Sequence, residues 1–291
     1  MATSFDNSWL ALSKPGKAQK YFDLDTPSNM SLEDKSYNKI NAWWLAEFSR
    51  LIYRQEQDEL GQYADGLTRQ AVLQQVGFQE LHFFNNKSTQ CAVFAPQDGT
   101  FAVLVFRGTH DAYNWLLNLN TWPATWQKGG SVHSGFKSSF DAVWQVVENY
   151  LDSLQVPVYY TGHSLGGAMA VLAASSRPPY ALYTFGCPRV GNSAFTETLQ
   201  GFPHYRIVNH CDVFTTVPAR FLNFAHTGKL IYIASNNQFL FNPSDELIKS
   251  DRKRVDPNLS ETTNFRHWYD PAEFLADHAP VNYVAHLERR L

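Results

Sequence analysis

Val156-Pro-Val-Tyr-Tyr-Thr161, then Gly162-His163-Ser164-Leu165-Gly166, then Gly167-Ala-Met-Ala-Val-Leu-Ala-Ala174: these three consecutive pieces decide how the rest of the chain is read. The first has the β-branched and aromatic makeup of a strand, the last is a helix of small residues, and the middle is a turn with glycine on either side of a serine. Gly-x-Ser-x-Gly at a strand-to-helix junction is the nucleophile-elbow pattern, which lifts a serine hydroxyl above a sheet. The glycines are needed because the turn presses backbone against backbone and leaves no room for a Cβ. Alone the pattern is weak, since glycine and serine each near ~7% of residues give about 0.1 chance matches in a chain this long. The flanking strand and helix supply the required context. The competing interpretation is a glycine-rich turn of another doubly wound sheet with an incidental serine.

Outward from this junction the same alternation continues. Strand-like runs fall at 91–94, 101–106, 156–161, 181–185, 205–209 and 229–233, and helical patterns at 136–154, 165–175 and about 194–199. An earlier helix is expected over about 34–53, where Ile40, Trp43, Trp44, Ala46, Phe48, Leu51 and Ile52 recur at helical spacing. Short apolar strands alternating with helices predict an α/β fold with a mostly parallel sheet covered on both faces. Ligands in such folds sit beyond the carboxyl ends of the strands, so loops just after strands are where chemistry is expected. Residues 236–265 read as a long polar loop. No repeat or linker interrupts the chain, so residues 1–291 are read as a single domain with an N-terminal arm over about 1–33.

A neutral serine hydroxyl needs a base within hydrogen-bond reach, and the base needs a carboxylate to orient it. In this architecture the acid and then the histidine follow the serine in the chain. Asp212 closes the strand-like Tyr205-Arg-Ile-Val-Asn-His-Cys211 run, which places it at the catalytic end of the sheet; the plainer alternative is an aspartate capping a turn. Among the downstream histidines, His226, His267, His278 and His286, only His278 lies in a loop that opens a helix, Ala276-Asp-His-Ala-Pro280, with His267 and His286 as the alternatives. Backbone donors for a developing oxyanion are expected from the N–H of Leu165 and from the loop after 101–106, Arg107-Gly-Thr-His110, where Thr109 offers both N–H and hydroxyl. From the residues alone that loop is equally well an ordinary turn.

Composition narrows the function classes. The formal charge of −3 and a pI near 6.4 argue against nucleic-acid binding, and the basic run Lys249 to Arg254 is broken by Ser250 and Asp251 and reads as a solvated loop. Cys91, Cys187 and Cys211 lack paired zinc-site spacing and read as buried thiols, which fits a reducing compartment. The first thirty residues carry scattered charges and no apolar core, so no cleavable signal is expected and the location reads as cytoplasmic, unless the N-terminus is a processed one or export is non-classical. No run reaches the ~18 apolar residues of a membrane span. There is no phosphate-cradling loop, dinucleotide fingerprint or helical histidine pair, so neither cofactor nor metal is expected. The aromatic content of 15% fits either a heavy core or an apolar ligand surface.

Five ordered segments resemble those of the fungal-type, or class 3, triacylglycerol lipases of the α/β-hydrolase fold: Val105-Phe-Arg-Gly-Thr109, Val132-His-Ser-Gly-Phe136, Thr161-Gly-His-Ser-Leu-Gly-Gly167, Phe185-Gly-Cys-Pro-Arg-Val-Gly-Asn192, and Asp277-His278 with Tyr283 after it. The resemblance spans roughly 40–286. It implies a serine carboxylic ester hydrolase acting on acylglycerols, with Ser164, Asp212 and His278 as triad and Thr109 with Leu165 as oxyanion hole. Feruloyl-type esterase, phospholipase or acyltransferase chemistry would use the same triad, and a non-catalytic hydrolase-fold binding protein is the alternative from another class. Arg107 and Arg189 are implied to be structural, and His163 to pack beneath the turn. The chain departs from the fungal pattern in its unpaired cysteines and in Pro218, which comes later after the acid than usual.

Between the oxyanion loop and Val132, residues 111–123 form a short amphipathic pattern with Trp115, Leu116, Leu119 and Trp122 on one stripe, Asp111 at its start and Pro123 at its end. A core helix explains the pattern; the resemblance implies a lid in this place, with Trp115 and Leu116 over an acyl pocket and transient contact with a lipid interface.

Overall fold

The computed structural model describes residues 15–17, 20–23, 29–32, 35–54, 65–86, 89–109, 122–255 and 276–289. Two helices, α1 (Lys39–Leu51) and α2 (Arg69–Gln75), precede three strands, β1 (Phe78–Asn86), β2 (Thr89–Pro96) and β3 (Ala102–Phe106). A small hairpin of β4 (Pro123–Thr125) and β5 (Ser131–His133) leads into α3 (Ser134–Asp141) and α4 (Trp144–Asp152). Then come β6 (Val158–His163), α5 (Leu165–Ser176), β7 (Ala181–Phe185), α6 (Ser193–Thr196), β8 (His204–Asn209), β9 (Lys229–Ile233), β10 (Phe239–Phe241), α7 (Asp245–Val255) and α8 (Pro280–Glu288).

Eight strands form one sheet in the order β1-β2-β3-β6-β7-β8-β9-β10. The pairs from β3 through β9 are parallel, and the antiparallel pairs lie at the two edges. Strand periodicity divides the side chains between two cores. Val103, Val105, Tyr159, Tyr183, Phe185 and Ile207 pack on one face with α1 and α8, while Leu104, Phe106, Tyr160 and Leu182 pack on the other with α3, α4 and α5. Each such fully buried apolar side chain contributes roughly 1.5–3 kcal/mol by leaving water, so the parallel strands are held from both sides. The aromatic richness of the sequence is spent largely on the first face, where Phe22, Trp44, Phe48, Phe78 and Phe94 form a continuous contact chain.

Helix α1 starts at Lys39 rather than near 34, because the Asn38 side chain caps it by accepting the N–H of Asn41 at 3.0 Å. It is buried on every side from Asn41 to Leu51, not on one stripe, and its polar residues are therefore paired. Arg50 and Glu47 form a forked ion pair at 2.7 and 2.9 Å, and Ser49 meets Thr161 of β6 at 3.1 Å. The long helix expected over 136–154 is two helices, with the chain turning at Ala142 and Val143, where Val143 leaves helical geometry. Strand β1 was not visible as alternation because its burial is irregular and a register shift lies between Glu80 and His82.

The stretch expected to be a loop over 236–265 carries β10 and α7 within its described part. Asp245 and Glu246 in the first turn of α7, and Arg252, Lys253 and Arg254 in its last, complement the helix dipole. The interruption in the basic run is its anchor: the buried carboxylate of Asp251 accepts from Tyr232 Oη at 2.9 Å, Ser235 N at 2.9 Å and Ser235 Oγ at 2.6 Å. Replacing Asp251 with alanine strands three donors at once, and we expect a loss of about 2–4 kcal/mol in stability, read as a lower urea midpoint with an unchanged slope.

Candidate active site

Ser164 sits between β6 and α5 with φ 59° and ψ −127°, a backbone geometry that side chains rarely adopt. Its N–H is tied to Phe185 O at 2.9 Å on the neighbouring strand. The glycines around it admit the close approach: a Cβ on Gly162 would lie 2.3 Å from Gly166 C, and one on Gly166 would lie 2.2 Å from Phe106 O. The turn thereby draws the start of α5 against the end of β3 and places the serine at the carboxyl edge of the parallel strands.

Two side chains from far along the chain continue from this hydroxyl in series. His278, in the segment immediately before α8, lies with Nε2 2.8 Å from Ser164 Oγ and Nδ1 2.9 Å from Asp212 Oδ2. Asp212 follows β8 and is fully buried. A carboxylate only accepts, so Nδ1 carries the proton, Nε2 presents its lone pair and the serine hydroxyl donates to it. Asp212 also serves as the turn cap that was its plainer reading: Oδ1 accepts the N–H of Phe214 at 2.9 Å. Phe214 in turn stacks on the His278 ring with centroids 3.6 Å apart.

The groups that hold these three in place include Tyr283 and His163, whose roles the sequence did not reveal, and Tyr53, which it did not mark at all. Tyr283 of α8 donates its hydroxyl to Asp212 Oδ2 at 2.6 Å and accepts the N–H of Asn209 at 3.1 Å. Burial and the charge of Asp212 push the Tyr283 pKa well above the usual phenol range, so the hydroxyl stays a donor. His163 does more than pack under the turn. Its Nε2 donates to the backbone carbonyl of His278 at 2.6 Å, and its Nδ1 accepts from Tyr53 Oη at 3.0 Å. Burial, with the nearby His278 ring, holds the His163 pKa well below the ordinary histidine range, so this strut is neutral. Tyr53, just past the end of α1, also accepts the N–H of Gly108. Gly186 lies under the array with φ +59°, and a Cβ there would meet Asp212 Oδ2 at 2.8 Å and His278 Nδ1 at 3.0 Å. The motif spacing marked Gly186, but nothing in the sequence marks Tyr53.

Leu165 opens α5, and Thr109 lies half-buried two residues beyond Arg107 at the end of β3. A Cβ on Gly108 would lie 2.7 Å from His163 O, so this loop runs directly beside the elbow. Residues 110–121, with Trp115 and Leu116, lie outside the described residues, as does His267. The end of the expected lid pattern is described: Trp122 is 70% exposed and Pro123 begins β4. His226 is turned away, its Nε2 donating to Thr215 O at 2.8 Å, and His286 lies on α8 with its pKa lowered to about 4, first by burial and then by Arg289. Arg189 donates to the carbonyls of Thr216 and Pro218 and braces the loop after Asp212. Cys91 and Cys187 are buried thiols as expected, burial pushing Cys187 up to about 12, whereas Cys211 is half-buried.

Residues 103–222 match the model of the class 3 lipases, and the mostly parallel sheet with its flanking helices is the α/β-hydrolase fold. Among curated relatives, a lipase of Rhizomucor miehei is 36% identical over 152 residues, 46% of this chain and 42% of its own. The secreted mono- and diacylglycerol lipase 1 of Fusarium solani is 33% identical over 139 residues, 43% of this chain and 42% of its own. The matched stretch thus spans about two-fifths of these relatives. A solved triacylglycerol lipase, described as having a serine protease triad for its catalytic centre, superposes with a TM-score of 0.51 at 29% identity, covering 57% of this chain and 70% of that one.

The crowding at Gly186 gives a test of the array that needs no substrate. Gly186→Ala should leave the circular dichroism spectrum unchanged while slowing fluorophosphonate labelling of Ser164 by about 10² or more, the scale of a 1 Å misplacement of reacting groups. Labelling at the wild-type rate would mean that Asp212 and His278 do not govern the reactivity of this serine.

Proposed function

We propose that the protein hydrolyses acyl esters, acylglycerols foremost, through an acyl-enzyme on Ser164. The observation that carries this reading is the hydrogen-bond series Ser164–His278–Asp212, held at 2.8 and 2.9 Å on a strained turn. Ser164 Oγ attacks the ester carbonyl carbon while His278 Nε2 takes the hydroxyl proton. Asp212 fixes the tautomer and stabilises the imidazolium, to which the stacked Phe214 ring adds about 0.5–2 kcal/mol. The oxyanion is met by the N–H of Leu165 and by Thr109. Collapse expels the alcohol, which receives the proton from His278, and leaves Ser164 acylated. A water molecule then gives its proton to His278, attacks the acyl carbon and releases the carboxylic acid, restoring the serine.

Acylglycerols as substrates are supported by the match to the class 3 lipase model and by the names of the relatives. The serine role predicts that Ser164→Ala lowers kcat by about 10⁴ to 10⁶ with the thermal midpoint retained. A panel of p-nitrophenyl esters, triglycerides, phospholipids and feruloyl esters, assayed with both forms, identifies the acyl and alcohol groups; activity near wild type in the alanine variant would overturn the reading.

We also read residues 1–291 as one domain whose segment 111–123 covers the site, with Trp115 and Leu116 over the acyl pocket. A lid that turns its apolar face to lipid couples turnover to the interface. Rates on an insoluble ester should then rise sharply above its solubility limit, and Trp115→Ala should flatten that rise. A smooth saturation curve, the same in both forms, would leave a hydrolase of dissolved esters.

A further inference from the structure

Beside the candidate active site, on its outer side, the structure gathers three groups that ester chemistry does not use. His210 and Cys211 form the turn after β8, and Asp277 arrives from the segment before α8. One ring nitrogen of His210, the Cys211 Sγ and one Asp277 oxygen all lie within 4.8 Å of one another, each residue half-buried. We infer that His210, Cys211 and Asp277 form a binding site for a thiophilic divalent cation of the zinc type, with its fourth position open to water.

The donor set selects the class of ion. One nitrogen, one sulfur and one oxygen suit zinc and its neighbours, whereas calcium and magnesium require several oxygens and gain nothing from sulfur. Tetrahedral zinc with bonds of about 2.0–2.3 Å puts its ligands ~3.5 Å apart. The three atoms therefore close by about an ångström, within the reach of side-chain rotation. His210 Nδ1 already stands 3.2 Å from Asp277 Oδ2 and accepts the N–H of Cys211 at 2.6 Å, so the ring, the carboxylate and the Cys211 backbone are gathered before any ion arrives. The turn is braced from outside: Arg252 Nε donates to His210 O at 2.6 Å, and Asn209 Nδ2 donates to Asp277 O at 3.1 Å. The Asp277 carboxylate and the Cys211 thiolate formed on binding supply two negative charges, which matches a divalent ion.

The position gives binding a consequence. Cys211 immediately precedes Asp212, and Asp277 immediately precedes His278. A bound ion would fasten the loop of the acid to the loop of the histidine across chain segments 66 residues apart.

Cobalt(II) provides the probe, because thiolate bound to it gives a charge-transfer band in the near ultraviolet and because Cys91 and Cys187 are buried. Titrated into the full chain kept reduced, one equivalent should raise the band, and zinc should abolish it. Cys211→Ser should lose the band, and His210→Ala and Asp277→Asn should each weaken binding at least tenfold. His278→Ala should retain it, which separates this site from the serine, histidine and aspartate beside it. Zinc should also raise the thermal midpoint of the wild type and not of Cys211→Ser. No band in the wild type, a band that survives Cys211→Ser, or one lost in His278→Ala would each overturn the assignment.

Discussion

Backbone packed directly on backbone is the constraint from which the rest of this structure follows. At the junction of β6 and α5 the chain comes so close to itself, and to the end of β3, that Gly162 and Gly166 have no space for a Cβ. That contact fixes the angle at which α5 leaves the sheet, and the helix carries the small residues that let it lie close on the strands. It also brings the loop carrying Gly108 and Thr109 beside the elbow, where a Cβ on Gly108 would press on the carbonyl of His163.

The second level of organisation comes from the opposite face. Helices α1 and α8 pack together under the sheet, and two tyrosines reach the site from there, Tyr53 just past the end of α1 and Tyr283 of α8. Tyr53 joins Gly108 to His163, and His163 joins the elbow to the carbonyl of His278. Tyr283 joins Asp212 to the end of β8. These polar groups thus form a continuous internal scaffold from Tyr53 through His163, His278 and Asp212 to Tyr283. In a water-poor interior such a network is stiff, because breaking any member leaves an unsatisfied polar group at a cost of about 1–3 kcal/mol.

What the sequence made legible was the part written in local pattern. Six of the eight sheet strands announce themselves as apolar runs, and the elbow is explicit in its glycines. Chain order then led to Asp212 and His278, which the fold brings together although no spacing links them. The remainder was invisible for identifiable reasons. Strand β1 is half-exposed and bulged, so it shows no alternation. Helix α7 is polar and exposed on most sides, and its one buried acid, Asp251, looks like a break in a charge run. Tyr53 and Tyr283 resemble any core tyrosine until their hydroxyl partners are placed. The His210, Cys211 and Asp277 group joins neighbours in sequence to a residue far downstream, a combination that no spacing rule encodes.

The left-handed backbone at Ser164 has a further meaning for how this chain balances folding against use. A residue with a side chain, held at φ 59°, raises the energy of the folded state by about 1–3 kcal/mol, and glycine would remove most of that penalty. Judged by thermodynamic fitness of the fold alone, the present residue is therefore the wrong one. The molecule thus keeps a hydroxyl-bearing residue at a point of backbone strain where glycine would fold at lower cost, so stability is given up locally for the sake of the side chain that stands there.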